Sequence, residues 1–303
     1  VKITRRKHLQ HLSALAALPL LPNFSLLQDS IMIKRTTSTG EQIPVVGLGT
    51  WQTFDVGDSS TATNPLKEVL TTLLKKGGSV VDSSPMYGRS EKVVGELSAE
   101  LKINDKLFIA TKVWTTGKEQ GIKQMNESFQ LLGRKQLDLM QIHNLVDWRT
   151  HLATLRDWKE QKKIRNIGIT HYTESAYDQV EQIIKREPID FLQINYSLLS
   201  RKAEERLLPL AQEKKISVLI NRPFEEGELF SRVRGKNLPD WAKEFDCTSW
   251  GQFFLKFILS HPAVTCVIPG TSKPHHMADN AMAGVGKLPD ADHRKKMIAF
   301  LNA

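Results

Sequence analysis

Short apolar runs alternate with amphipathic stretches of helical length from Val45 onward, and the alternation recurs eight times. The apolar runs predict strands at Val45–Gly47, Ser79–Asp82, Leu107–Lys112, Leu137–His143, Ile164–Thr170, Phe191–Tyr196, Ser217–Asn221 and Thr265–Pro269. Continuous apolar stretches such as Val218-Leu219-Ile220 suit strands covered on both faces, as in a parallel sheet sheathed by helices. Between them, Pro65–Lys76 reads as a helix whose Leu66, Val69, Leu70, Leu73 and Leu74 share one face, and Gly77-Gly78 ends it. Upstream, Ser38–Ile43 with Gly40 predicts a hairpin turn. Eight βα repeats with short connections and no long linker predict an α/β fold, a (β/α)8 TIM barrel with an N-terminal β-hairpin, rather than an open doubly wound sheet. Gly47-Leu48-Gly49 does not begin a dinucleotide fingerprint, because Gln52 stands at the third glycine position and no helix starts there.

In such barrels the catalytic side chains come from the carboxyl ends of the strands and the loops after them. Asp82, Lys112, His143 and Thr170 each end a predicted strand. Polar groups closing four apolar runs are costly in a core unless they face one shared site. Taken singly, each has a plainer role: Asp82 a helix cap, Lys112 a surface charge, His143 a hydrogen-bonded barrel histidine, and the nearby Tyr87 a packed aromatic.

Composition adds limits. At 303 residues the chain suits one barrel plus a short appendage, and 40% hydrophobic with 25% charged residues is ordinary for a globular protein. The formal charge is +9; residues 1–30 hold Lys2, Arg5, Arg6 and Lys7 against Asp29, so about two thirds of the excess lies beyond them. That excess suits anionic substrates or phosphate-bearing cofactors. Basic residues are interleaved with acidic ones, as in Arg201–Arg206, so no basic stripe points to nucleic acid. Cys247 and Cys266 lack CxxC or metal-ligand spacing and read as core thiols, with a bridge between them left open. His275-His276 has no accompanying metal-ligand cluster and no nucleophile motif is visible, which disfavours a barrel hydrolase or isomerase.

The run Asp82-Ser83-Ser84-Pro85-Met86-Tyr87-Gly88-Arg89-Ser90-Glu91, closed by Gly95, resembles the D-x-x-x-x-Y-G-x-S-E-x-x-x-G signature of aldo-keto reductases. Ala110–Trp114, Leu137–His143 and Ile268–Lys273 are similar to later blocks of that family in the same order, so the resemblance spans residues 31–303. It implies NADPH-dependent reduction of a small carbonyl compound, NADH being the alternative cofactor, with no metal and a monomeric barrel. Tyr87 would be the proton donor, its phenol acidified by the Lys112 ammonium; Asp82 would offset the burial of Lys112, and His143 would hydrogen-bond the substrate carbonyl.

By the same resemblance Thr170, His171 and Gln193 would hold the nicotinamide carboxamide. Gly168-Ile169-Thr170-His171 departs from the commoner Ser-Asn pair, and Asn221 stands where many relatives have a tyrosine against the ring. Arg222 is placed for pyrophosphate or for a structural ion pair. Gly270, Thr271, Ser272 and Lys273, with His276 where some relatives carry arginine, would hold the 2′-phosphate at a helix amino end, and Asp279 and Asn280 the adenine. Trp51 and Trp114 match the pocket's aromatic walls, with Met86 and Trp148 in loops at the same mouth. The short loop Asn144–Trp148 and the brief tail after Phe300 imply an open pocket. A cofactor-binding regulatory subunit with slow turnover, as in the channel β-subunits that share this fold, is the alternative.

Residues 1–30 stand apart. Arg5-Arg6-Lys7 followed by the apolar Leu12–Leu21 resembles a twin-arginine export signal, and the apolar run is too short for a permanent membrane span. This segment predicts a periplasmic protein, a cytoplasmic one with a surface tail being the alternative. Replacing Arg5 and Arg6 together by lysine is expected to retain the protein in the cytoplasm on cell fractionation; unchanged export would refute the signal.

Overall fold

Period-two alternation along parallel strands sends neighbouring side chains to opposite faces of a sheet. Here it generates two separate cores. The computed structural model describes residues 31–302, so the expected signal segment 1–30 lies outside the described residues. Lys34–Thr36 (β1) and Gln42–Pro44 (β2) pair antiparallel as a hairpin. Eight strands then follow in sequence order: Leu48–Gly49 (β3), Val80–Asp82 (β4), Phe108–Val113 (β5), Leu137–His143 (β6), Ile164–Thr170 (β7), Phe191–Asn195 (β8), Ser217–Asn221 (β9) and Val264–Val267 (β10), all parallel. Bridges from Val46 to Val267 and from Gly49 to Gly270 close the sheet into a barrel.

The outer layer consists of Ser60–Lys75 (α1), Ser90–Glu100 (α2), Lys118–Leu131 (α3), Trp148–Glu160 (α4), Tyr177–Arg186 (α5), Leu207–Glu213 (α6), the short Glu228–Arg232 (α7), Trp250–Leu259 (α8), Pro274–Met282 (α9) and Ala291–Asn302 (α10). No helix among the described residues is long and apolar enough to cross a membrane.

One parity of strand residues fills the lumen: Val80, Phe108, Ala110, Leu139, Phe191, Leu219, Cys266 and Ile268 cluster there with Ile43 from the hairpin. The other parity, including Val81, Ile109, Met140, Ile169 and Val218, packs against the helices. Moving one rung up the lumen parity gives Asp82, Lys112, Gln141, Thr170, Gln193 and Asn221, and a second rung on β6 gives His143. The alternation that fills the barrel with hydrophobes therefore delivers polar groups to its carboxyl end. The opposite end is shut by the hairpin, where Ser38 N donates to Ser217 Oγ (2.8 Å), Thr39 Oγ1 to Asn166 Oδ1 (2.8 Å) and the Arg35 guanidinium to Leu259 O (2.6 Å).

Several expected boundaries move. Val45–Gly47 bonds to β10, with Val267 N donating to Val45 O and Gly47 N to Val267 O, while the ladder with β4 begins at Leu48. The predicted first strand is thus the closing seam of the barrel. Helix α1 begins at Ser60 and absorbs Pro65, whose missing N–H forgoes one bond. The connection from β9 to α8 is not short: Arg222–Ser249 contains only α7 and 3₁₀ turns, and it reaches the mouth of the barrel. Cys247 and Cys266 are both buried and free.

Helices α2 and α3 meet at Gly95, where a Cβ would lie 1.9 Å from the Leu131 carbonyl oxygen. Alanine normally stabilises a helix over glycine by about 1 kcal/mol. At this contact Gly95→Ala is expected to destabilise by roughly 1–3 kcal/mol through overpacking. Urea unfolding measures it, and a gain in stability would show that α2 has room to move.

Candidate active site

The lumen's uppermost rung opens into a cleft of about 1210 Å³ at the carboxyl ends of the strands. At its base lies a charge with no access to water: Lys112 is fully buried, its ammonium 2.7 Å from Asp82 Oδ2 and donating to the Ser83 carbonyl at 2.6 Å. The other carboxylate oxygen accepts from Gln193 Nε2 (2.8 Å) and Gln141 Nε2 (3.1 Å), and Gln193 Oε1 accepts from Thr170 Oγ1 (3.0 Å). Strands β4 to β8 are thereby joined through one carboxylate. Burial by itself depresses the Lys112 pKa, but the Asp82 charge, with the hydrogen bonds to Asp82 and Tyr87, outweighs it and leaves it above the ordinary value.

Tyr87 sits in the turn between β4 and α2, with the Lys112 ammonium 4.8 Å from its ring centroid. Gly88, at φ +60°, lets the chain double back against Asp55, whose carboxylate accepts from Arg89 N at 2.9 Å. Burial pushes the phenol above its ordinary pKa, Lys112 pulling against it. This reverses the direction expected from sequence, because desolvation of the phenolate outweighs the nearby cation. The hydroxyl therefore remains protonated at neutral pH, the state a proton donor requires. His143 lies edge-on to Tyr87, ring centroids 5.8 Å apart, and burial together with the Lys112 charge holds its pKa down at about 2. The imidazole is neutral.

From this centre the cleft runs along one side past Thr170, Gln193, Asn221, Arg222, Gly270, Thr271, His276, Asp279 and Asn280. Asn221 Nδ2 donates to the His171 carbonyl (3.2 Å) while its Oδ1 is buried without a partner. Arg222 reaches Glu226 at 3.4 Å and lies 5.6 Å from the Tyr172 ring centroid. Asp279 lines the cleft, but its oxygens accept from Ser249 Oγ (2.6 Å) and Gln252 Nε2 (2.7 Å), tying α9 to the start of α8. Asn280, 5% exposed, has no side-chain hydrogen bond among the described residues. Burial, His275 and Lys273 lower the His276 pKa, so it is not the permanent cation that an arginine would be.

Three of the predicted cofactor residues stand off the cleft wall. His171 Nδ1 accepts from Tyr172 N (3.1 Å) and Thr173 N (3.2 Å), and Ser272 and Lys273 line a shallower adjoining hollow with Pro274 and His275.

Trp51, Met86 and Trp114 border the catalytic end and are exposed, as an open pocket requires. Trp148 does not: it is half-buried at the start of α4 against the outer core, under the Arg149 guanidinium. The wall holds aromatics that sequence reading missed, namely Tyr172, Phe224, Phe230 and Trp250. Tyr172 and Phe224 sit on irregular connections, Phe230 lies on the five-residue α7 and Trp250 opens α8, positions where periodicity flags no buried face. Gln141 was also missed, although it lies two residues before His143 and period two places it in the lumen.

A buried lysine–carboxylate pair beneath a protonated phenol, with a neutral imidazole beside it, defines a site for delivering a proton to a polarised oxygen. The model of the aldo/keto reductase family matches residues 45–296, and the chain belongs to that family. It is an oxidoreductase. The methylglyoxal reductase YeaE of Escherichia coli is 26% identical over 257 residues, 82% of this chain and 88% of that protein. The aldo-keto reductase YhdN of Bacillus subtilis is 26% identical over 210 residues; that match takes in 64% of this chain and 62% of YhdN, less than two thirds of its length. Among solved structures, an aldo/keto reductase from Klebsiella pneumoniae in complex with NADP and acetate superposes with a TM-score of 0.74 at 21% identity, covering 89% of this chain and 96% of that one.

Proposed function

We propose that the chain reduces neutral, largely apolar aldehydes or ketones to alcohols with NADPH. The observation that carries this reading is the fully buried Lys112–Asp82 pair beneath the protonated Tyr87. Tyr87 donates its proton to the carbonyl oxygen as negative charge develops there. Lys112 stabilises the phenolate left behind, and Asp82 holds Lys112 charged and aimed. The neutral His143 orients the carbonyl by donating a hydrogen bond. NADPH, when bound, supplies the hydride that the carbonyl carbon receives.

The polar side of the cleft suits such a cofactor. Its volume of about 1210 Å³ exceeds the usual upper range of about 1,000 Å³ for ligand pockets, and the buried, unpaired Asn221 Oδ1 is left for a partner there. Thr170, Gln193 and Asn221 would flank the nicotinamide, Arg222 the pyrophosphate, Gly270, Thr271, Ser272 and Lys273 the 2′-phosphate, and Asn280 the adenine. With His276 uncharged, Lys273 is the permanent cation of that group. The substrate end is lined by Trp51, Met86 and Trp114, each exposed, without a cation among the three. This favours uncharged carbonyl compounds over phosphorylated or carboxylated ones. Methylglyoxal, the substrate in the name of the E. coli relative, belongs in the first assay panel.

Tyr87→Phe is expected to cut aldehyde turnover by about 10²–10⁴-fold while NADPH still binds, since only the proton donor is lost. NADPH oxidation with a panel of aldehydes and ketones tests it, and full activity in Tyr87→Phe would remove Tyr87 from the mechanism. Lys273→Ala is expected to weaken NADPH binding about tenfold or more with little effect on NADH, by loss of a charge-assisted contact. Fluorescence titration with both nucleotides reads the difference, and equal losses would exclude Lys273 from contact with the 2′-phosphate.

A further inference from the structure

Ser84, two residues beyond Asp82, is completely buried, and its hydroxyl touches two groups. Its Oγ lies 3.0 Å from His143 Nδ1 and accepts from the backbone N–H of Met86 at 3.3 Å. Among the described residues the serine hydrogen has one acceptor within reach, the Nδ1 lone pair, and the buried hydroxyl has no solvent to turn to. An N–H at His143 Nδ1 would face that hydrogen and leave it without an acceptor in a buried site. The arrangement is satisfied when Ser84 donates to a bare Nδ1 and the imidazole carries its proton on Nε2. Among the described residues no group bonds Nε2, and His143 lines the cleft.

We infer that Ser84 is a positioning residue that fixes His143 as the Nε2–H tautomer, so that the cleft receives an imidazole hydrogen-bond donor beside the Tyr87 hydroxyl. The same oxygen holds Met86 N, one residue before Tyr87, while Tyr87 N donates to the Ser84 carbonyl at 3.0 Å. Ser84 thus sets the turn carrying Tyr87 and the orientation of His143 against one another. A carbonyl oxygen entering the cleft would meet a phenol O–H and an imidazole N–H, both able to donate to it. The opposite tautomer would turn a bare nitrogen toward that oxygen and repel it.

The consequence for turnover rests on the carbonyl-reduction reading above; the tautomer does not. Nitrogen-15 NMR of the histidine side chains in the full chain, with His143 assigned through His143→Gln, reads it directly. Wild type is expected to show one neutral tautomer, Nδ1 unprotonated and Nε2 protonated. In Ser84→Ala the two His143 nitrogen shifts should move toward each other as the second tautomer becomes populated, and kcat for an aldehyde should fall about three- to tenfold, the worth of one neutral hydrogen bond, with the NADPH Kd unchanged. Ser84→Thr keeps a hydroxyl and should restore both the shifts and kcat. A protonated Nδ1 in wild type, or unmoved His143 shifts in a folded Ser84→Ala, would overturn the inference. Absent turnover in the wild type would instead overturn the reductase reading, and the nitrogen shifts would still decide the tautomer.

Discussion

An ammonium group without any contact with water is among the costliest things a barrel lumen can hold, and the site is organised around keeping Lys112 there. Desolvating such an ion costs several kcal/mol even after relaxation. Here the cost is met by the Asp82 carboxylate at 2.7 Å and the Ser83 carbonyl at 2.6 Å. Asp82, stripped of water in turn, accepts from Gln141 and Gln193, and Gln193 accepts from Thr170. Each polar group therefore leans on the next, and the chain passes through the ends of five strands. Deleting either charge would strand the other, a loss of roughly 3–5 kcal/mol. The pair is thus poor as a source of stability yet strict as a constraint: it tolerates only one arrangement of the strands that surround it.

That constraint also fixes how Tyr87 and His143 behave. Burial disfavours the charged form of any group, so it raises the pKa of the phenol and lowers that of the imidazole. An acid and a base, pushed in opposite directions by one environment, both end neutral and both retain a hydrogen to donate. Lys112 sharpens the contrast, since its charge repels a proton from His143 while it lowers the cost of removing one from Tyr87. The cation thus helps keep the imidazole neutral and makes the phenol the easier of the two donors to deprotonate.

Much of this was legible in the chain before any coordinates. The eight apolar runs announced the barrel, and polar residues ending four of them announced a shared site, because period two carries lumen hydrophobes and site residues on one face. Gln141 aside, what escaped notice depends largely on contacts remote in sequence. Ser84 looks like any small residue in a turn until His143, 59 residues away, is brought against it. Asp279 resembles a ligand-facing carboxylate, and only the packing of α8 shows its oxygens committed to Ser249 and Gln252. The direction of the Tyr87 shift also escaped, since a sequence shows that a cation is near but not how much water the phenol loses. Trp148 failed for the converse reason: its loop position suggested the mouth, whereas it begins α4 and packs inward.

The division of labour along the chain follows from these differences. Groups that carry charge or protons arise on strands or in the short turn from β4 to α2, where ladder bonds and the packed lumen beneath fix their positions. Groups that shape the cleft without reacting, such as Phe224 and Phe230, arise on the long β9–α8 connection, where Arg222, Glu225 and Glu226 all adopt positive φ. Non-glycine residues in that region carry backbone strain that surrounding contacts must offset. Arg222 stacking on Tyr172 and pairing with Glu226 supplies such contacts, and Phe224 and Phe230 add a ring pair 5.0 Å apart. A stretch held by a surface pair and aromatic edges, as Arg222–Glu226 is, yields more easily than one held by a buried ion pair. The rest of the β9–α8 connection is anchored in the core by Leu229, Val233, Ala242 and Phe245, so the freedom to reshape the cleft is concentrated at Arg222–Glu226, while the Lys112–Asp82 pair leaves the proton-donating groups no comparable freedom.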